Sequence, residues 1–273
     1  MARDPGPAAL TRVPDDPTAL LALALEVGAA AAALIIEGRA SGLANVTSKS
    51  TATDMVTEYD RLSEALIVER LTVARPDDGL VGEEGADRRG SSGIDWLIDP
   101  IDGTTNFLYG LPGFAVSIAA RDPDGPLVGV VVVPSTGETY YAHRGGGAFC
   151  NGAPIRCSNT TDLGHALVAT GFSYHPERRR AQAARLAAII DRIRDVRRIG
   201  AAAPDLCYTA AGRVDAYFEE YLNPWDLAAG EVIAREAGCR VASIDGSPVH
   251  PGSVLVATPA IFGPLVELIA AVQ

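Results

Sequence analysis

The sequence predicts a layered α/β fold, with two sheet-containing halves stacked with helical layers. Between residues 94 and 142, strand-like apolar runs are joined by short turns such as DPDG and PSTG, which favours antiparallel pairing. From about residue 145 the rhythm changes, and strands alternate with helices. The chain has 273 residues, of which 48% are hydrophobic, enough for one large domain or two intimately packed ones with a real core. Aromatic residues make up only 6%, so aliphatic and alanine contacts must build that core.

In chain order, residues 1–15 are Pro-rich and aperiodic and read as a mobile arm. The apolar run Ala19–Ile36 is a helix that Asp16-Pro17 or Thr18 would start. Alanine is its commonest residue, Glu26 and Gly28 interrupt it, and it lacks a basic flank followed by a small-residue cleavage site, so it reads as a buried helix rather than a membrane span. A second helix fits Thr57–Ala74, with Tyr59, Leu62, Leu66 and Val73 on one face. Strands follow at 94–98, 114–119, 127–133 and 138–142. The second half offers a strand at 165–170, a helix at 177–193, an extended piece at 196–199, a helix at 202–211 and a strand at 214–219. A helix from Asp226 to Ala237 stops at Gly238, and strands near 240–244 and 253–257 precede a last helix, 259–272. No repeat or linker appears, so residues 16–145 and 146–273 are expected as two halves of one body.

The formal charge of −11 argues against a broad basic face for nucleic acid. Phosphate ligands remain open, because carboxylates that hold divalent cations attract an anion locally. Cys150, Cys157, Cys207 and Cys239 form no CxxC pair and read as reduced thiols in a cytoplasmic protein.

The strongest chemical signal is the stretch Trp96 to Phe107, WLIDPIDGTTNF, where an apolar strand runs into two carboxylates three residues apart. Pro100 pushes Asp99 toward an extended backbone, which can aim Asp99, Asp102 and the Ile101 carbonyl at one point. Hard cations such as Mg²⁺ want such oxygens. Gly103 allows close backbone approach, and a helix beginning near Thr104 would offer free N–H groups to an anion. Glu83 and Glu84, between glycines at a strand end, could add a metal ligand, although alone they read as a solvated turn. Asp226 is placed as a helix N-cap, a position compatible with an ionised metal ligand. Thr57 and Asp60 stand in capping-box spacing. The chain has no GxSxG elbow, P-loop, EF-hand or HxxxH pair, and the aspartate spacing is wrong for an aspartyl-phosphate enzyme.

Together these segments resemble the inositol monophosphatase family, the Mg²⁺-dependent, lithium-sensitive phosphatases related to fructose-1,6-bisphosphatase. The resemblance rests on K49-x4-D54-x-V-T57-x2-D60, G82-E83-E84, the WLIDPIDGTTNF stretch, R198-x-G200-x-A202-A-x-D205-L, D215-A-Y-F-E219 and W225-D226-L-A-A-G230, in that order. It implies an αβαβα sandwich, usually a homodimer. Glu83, Asp99 and the Ile101 carbonyl would hold one Mg²⁺, and Asp99, Asp102 and Asp226 a second, with a third, weaker ion against Glu83. Asp60 and Thr104 would orient the attacking water, Gly103 and Thr104 would cradle phosphate, and Asp102, Ala202 and Glu219 would meet the substrate, Ala202 and Glu219 on its alcohol half. The substrate implied is a small phosphate monoester, myo-inositol monophosphate first, with histidinol phosphate, fructose-1,6-bisphosphate and adenosine 3′,5′-bisphosphate as sibling choices. A binding module that works through a partner, with little or no catalysis, is the rival from another class. Lys49, the chain's only lysine, has a metal-adjacent match and no clear role. Neither a membrane nor direct nucleic-acid contact is expected.

Overall fold

The computed structural model describes residues 15–41, 47–48, 55–250 and 252–272. The expected arm, apart from Asp15, lies outside these residues, as do Lys49 and Asp54. Helix α1 (Pro17–Ser41) lies against helix α2 (Glu58–Ala74). In the chain between them, β1 (Thr47–Ser48) and β2 (Met55–Val56) pair antiparallel. The large sheet is built from β3 (Gly79–Gly82), β4 (Asp87–Arg88), β5 (Asp95–Asp102), β6 (Ala115–Asp122), β7 (Gly125–Val133), β8 (Glu138–His143), β9 (Ala148–Cys150) and β10 (Ala153–Pro154), with short helix α3 (Thr104–Tyr109) after β5. Its order is β10-β9-β8-β7-β6-β5-β3-β4, antiparallel throughout except for the parallel pair β3–β5. The last two strands lie beyond residue 145 yet belong to this sheet.

The second half contains β11 (Leu167–Thr170), α4 (Pro176–Ile189), β12 (Asp195–Arg197), α5 (Ala202–Ala210), β13 (Ala216–Glu220), α6 (Pro224–Glu236), β14 (Arg240–Ala242), β15 (Ser253–Ala257) and α7 (Pro259–Ala270). Its sheet runs β12-β11-β13-β15-β14, with β11 parallel to both neighbours and β15 antiparallel to both of its own.

Period-two patterning explains the stacking. Along β5–β7, Trp96, Ile98, Val116, Ile118, Val128 and Val130 join the core beneath α1 and α2, while Leu97, Ala115, Ala119 and Val131 join the core on the opposite face. Helices α5 and α6 fill that second core together with Tyr217, Val254 and Val256 of the small sheet. A third core lies between the small sheet and helices α4 and α7, through Val168, Phe218, Leu255, Ile189, Phe262 and Leu265. The second core spans both faces of the α5–α6 layer, so three cores hold together five layers, the αβαβα order that the family resemblance implies.

Helix α1 is apolar and long enough to cross a membrane by length and composition. Leu20, Ala24, Val27, Ala31 and Ile35 are nonetheless fully buried against α2 and the large sheet. Half of the apolar face read on α2 holds, since Tyr59 and Leu66 pack against the first core. Leu62 and Val73 are half exposed, and the buried face is Asp60, Ser63, Glu64, Ile67, Leu71 and Ala74. Polar residues occupy that face because they hold the functional site, and apolar periodicity cannot register them.

The small residues of α6 have a packing reason. A Cβ on Gly129 of β7 would stand 2.5 Å from the Ala229 carbonyl oxygen, and one on Gly230 would stand 2.4 Å from Leu206 Cδ1. Without side chains there, α6 can sit close to both β7 and α5.

Candidate active site

Strand β5 carries Asp99 and Asp102 to the floor of a pocket of about 390 Å³, a volume suited to a small molecule. Residues three apart on a regular strand face opposite sides. Here Asp99 pairs with Ser117 and Asp102 with Ala115, so β5 holds one residue more than β6 between those pairs. This bulge turns both carboxylates into the same pocket. The Asp99 carboxylate also accepts the Ile101 N–H at 3.1 Å, and Ser63 Oγ donates to the Pro100 carbonyl at 3.1 Å. Gly103, at φ +84°, then turns the chain into α3, where a Cβ would lie 2.9 Å from Ala201 Cβ.

Glu83 follows β3, and its N–H donates to the Ile98 carbonyl at 3.2 Å. Buried Glu64 of α2 fixes this turn by accepting the N–H groups of Glu84 at 2.8 Å and Ala86 at 2.9 Å. Asp226 sits one turn deeper than the N-cap expected of it. Asn223 is the N-cap, because Pro224 opens the helix, and Asp226 reaches back to accept the Asn223 N–H at 2.7 Å. Asp102 Oδ2 accepts the Ala203 N–H at 2.6 Å, which ties β5 to the start of α5. Helices α3, α5 and α6 all begin at the pocket, presenting first-turn N–H groups and the positive ends of their dipoles.

Asp60 serves two elements at once. Its Oδ2 accepts the Thr57 N–H at 2.7 Å and the Thr57 hydroxyl at 2.5 Å, closing the capping box of α2. Its Oδ1 lies 3.1 Å from Thr104 Oγ1, which is also 3.0 Å from the Ile101 carbonyl. Thr104 donates its one hydroxyl proton to one of these acceptors at a time, and its oxygen lone pairs can accept a hydrogen bond from a water.

The carboxyls raise one another. Burial pushes Asp99 well above the ordinary carboxyl range, and the charges of Glu83, Asp102 and Asp226 add to it; Asp99 also shares a hydrogen bond with Glu83. Burial drives Asp102 up to about 7, against the pull of the Ala203 and Ala202 N–H groups. Asp226 rises through burial and the Asp102 charge, with the Asn223 N–H opposing. Asp60 rises through burial, against its Thr57 hydrogen bonds. Crowded hard oxygen donors fit divalent cations, and the four carboxylates of Glu83, Asp99, Asp102 and Asp226 with the Ile101 carbonyl could hold them. Among the described residues no three of the His, Cys, Asp or Glu side chains already stand in a ready-made metal-holding arrangement.

Ala202 and Glu219, expected on the alcohol half of the substrate, both line the pocket. Tyr217 Oη donates to Glu219 Oε2 at 2.6 Å, and a Cβ on Gly171 would come within 1.8 Å of that oxygen, so Gly171 makes room for the carboxylate. Sequence reasoning gave no role to Arg178, Arg198 or Tyr221, which also line the pocket. The Arg178 guanidinium stacks 4.3 Å above the Tyr221 ring, and Tyr221 adopts a rare φ of +68°. Pocket residues 171–175 and 221–223 follow the carboxyl ends of parallel strands β11 and β13, the crevice where open α/β sheets place ligands. That rule was the available signal.

Comparisons with known proteins point to one family. The model of the "Inositol monophosphatase family" matches residues 16–272. An inositol-1-monophosphatase SuhB of Mycobacterium tuberculosis is 41% identical over 282 residues, covering 97% of each chain. A Nus factor SuhB of Vibrio cholerae is 42% identical over 217 residues, covering 78% of this chain and 81% of that one. The crystal structure of extragenic suppressor protein suhB from Bartonella henselae superposes with a TM-score of 0.87 at 34% identity, covering 92% of this chain and 98% of that one. With a shared fold, a family model over nearly its whole length and relatives of this identity, the chain belongs to the inositol monophosphatase family.

Proposed function

We propose that this chain hydrolyses a small phosphate monoester, myo-inositol monophosphate, in the presence of Mg²⁺, two to three ions per site. The observation that carries the reading is the bulge in β5, which sets Asp99 and Asp102 beside Glu83 and Asp226 and next to the Thr104–Asp60 pair. Bound cations would screen the phosphate dianion, acidify water and stabilise the departing oxygen. Glu83, Asp99, Asp102, Asp226 and the Ile101 carbonyl would hold them.

The remaining steps belong to the chain's own groups. Gly103 and Thr104 offer backbone N–H groups at the start of α3 to the phosphoryl oxygens. Thr104 Oγ1, its proton held toward Asp60, accepts a hydrogen bond from the attacking water, and Glu83 orients that water from the other side. The water oxygen bonds to phosphorus as the bond from phosphorus to the alcohol oxygen breaks, and the proton that the water gives up balances the one that the alcohol oxygen takes up. Glu219 accepts hydroxyl hydrogens of the alcohol, and Ala202 leaves room for its ring. A homodimer acting in the cytoplasm, without membrane or nucleic-acid contact, completes this reading.

The Vibrio cholerae relative is a Nus factor, which favours a second reading in which the chain works as a partner in transcription complexes. The complete carboxylate set supports catalysis. Phosphate release measured against Mg²⁺ over a panel of the four candidate substrates separates them. Turnover that needs Mg²⁺ and prefers inositol monophosphate supports the first reading. No release from any ester at any Mg²⁺ concentration would leave only the second.

A further inference from the structure

Two of the four cysteines meet at a place the pocket does not use. Helix α6 ends at Glu236, and the chain turns through Gly238, at φ +90°, into Cys239. The loop after β10 runs across that turn, and the Cys157 N–H donates to the Ala237 carbonyl at 3.0 Å. A Cβ on Gly238 would stand 3.8 Å from Cys157 Sγ, so the thiol lies directly over the turn. The Cys157 and Cys239 side chains are near enough for each to influence the other's ionisation. Cys239 Sγ also lies 3.8 Å from the Thr209 carbonyl. Cys157 is partly exposed, whereas Cys239 is buried at 9%. We propose that Cys157 and Cys239 are a peroxide-responsive pair that closes to a reversible disulfide, with Cys157 reacting first.

The surroundings sort the four thiols in the same sense. Cys239 pulls Cys157 down to about 6, against burial and helped by Thr258. Burial pushes Cys150 and Cys207 upward, so both stay protonated and slow to react. In the first step the Cys157 thiolate attacks one oxygen of hydrogen peroxide, the O–O bond breaks, and sulfenic acid and hydroxide form. In the second, the Cys239 sulfur attacks the sulfenic sulfur, the S–O bond breaks, and water leaves with the Cys239 proton. The two sulfurs are oxidised by two electrons, and peroxide is reduced to water. A dithiol reverses the bond. The proposal is independent of the phosphatase reading.

The full chain, reduced and then treated with a several-fold excess of hydrogen peroxide, should lose two of its four titratable thiols. A non-reducing peptide map should show Cys157 linked to Cys239 within one chain, and dithiothreitol should restore both. Cys239→Ser should trap a dimedone-reactive sulfenic acid at Cys157, and Cys157→Ser should slow thiol loss by roughly tenfold. The map on the unaltered protein needs no variant, so a substitution that misfolds does not weaken the test. Thiol loss confined to Cys150, a bond between chains, or an unlinked Cys157 after prolonged exposure would each overturn the proposal.

Discussion

One oxygen of Asp60 closes the first turn of α2, and the other holds Thr104. The capping-box spacing made the helix entry readable from Thr57 and Asp60 alone. The bond to Thr104 was not readable, because it joins positions 44 residues apart and only the fold brings them together. If Thr104 acts on water and not on the substrate, Thr104→Ala should lower kcat by about 100-fold with little change in KM. A raised KM at unchanged kcat would instead make it a substrate contact. Asp102→Asn keeps an oxygen for the Ala203 N–H and removes one charge from the pocket floor. It should cost ~3 kcal/mol or more of transition-state stabilisation, at least ~100-fold in rate, with an unchanged circular dichroism spectrum. More than a tenth of the original kcat at saturating Mg²⁺ would defeat the assignment.

At the scale of elements, strands were read better than helix faces. The period-two runs in β5–β7 are apolar on both faces, as a sheet between two helical layers requires. The bulge in β5 could not be read, since it shows only in the register with β6. Helix α2 was half misread for a different reason. Ser63 and Glu64 are buried to hold the Pro100 carbonyl and the Glu84 turn, so their polarity imitates a solvent face. In α6 the AAG tripeptide served as a family marker before its packing reason was visible. Gly230→Val places methyl groups where Leu206 already stands, and should destabilise the fold by ~2 kcal/mol. Urea unfolding checks this as a lower midpoint at an unchanged slope, and a midpoint equal to that of the original protein would mean that α6 has room to move.

Over the whole molecule, the pocket's crowded carboxyls should mark the dependence of stability on pH. Asp102 rises from 3.8 to about 7 in the folded chain, and Asp99 and Asp226 also rise. Between the unfolded and folded values the native state binds more protons than the unfolded one, so stability falls as pH rises through that window. The metal-free protein should therefore show a lower Tm at pH 7.5 than at pH 5, and Mg²⁺ should raise Tm more at the higher pH. A metal-free Tm that climbs across this range would show that the carboxyls do not repel as described. The middle helical layer has a consequence of another kind. Helices α5 and α6 come from the second half of the chain, yet they cover one face of the large sheet built mainly by the first. Cutting the chain near residue 160 would leave one fragment with a bare sheet and the other with bare helices. Expressed singly, each should be insoluble; expressed together, they should find one another and rebuild the five layers, because the core between the large sheet and helices α5 and α6 closes only when both pieces meet.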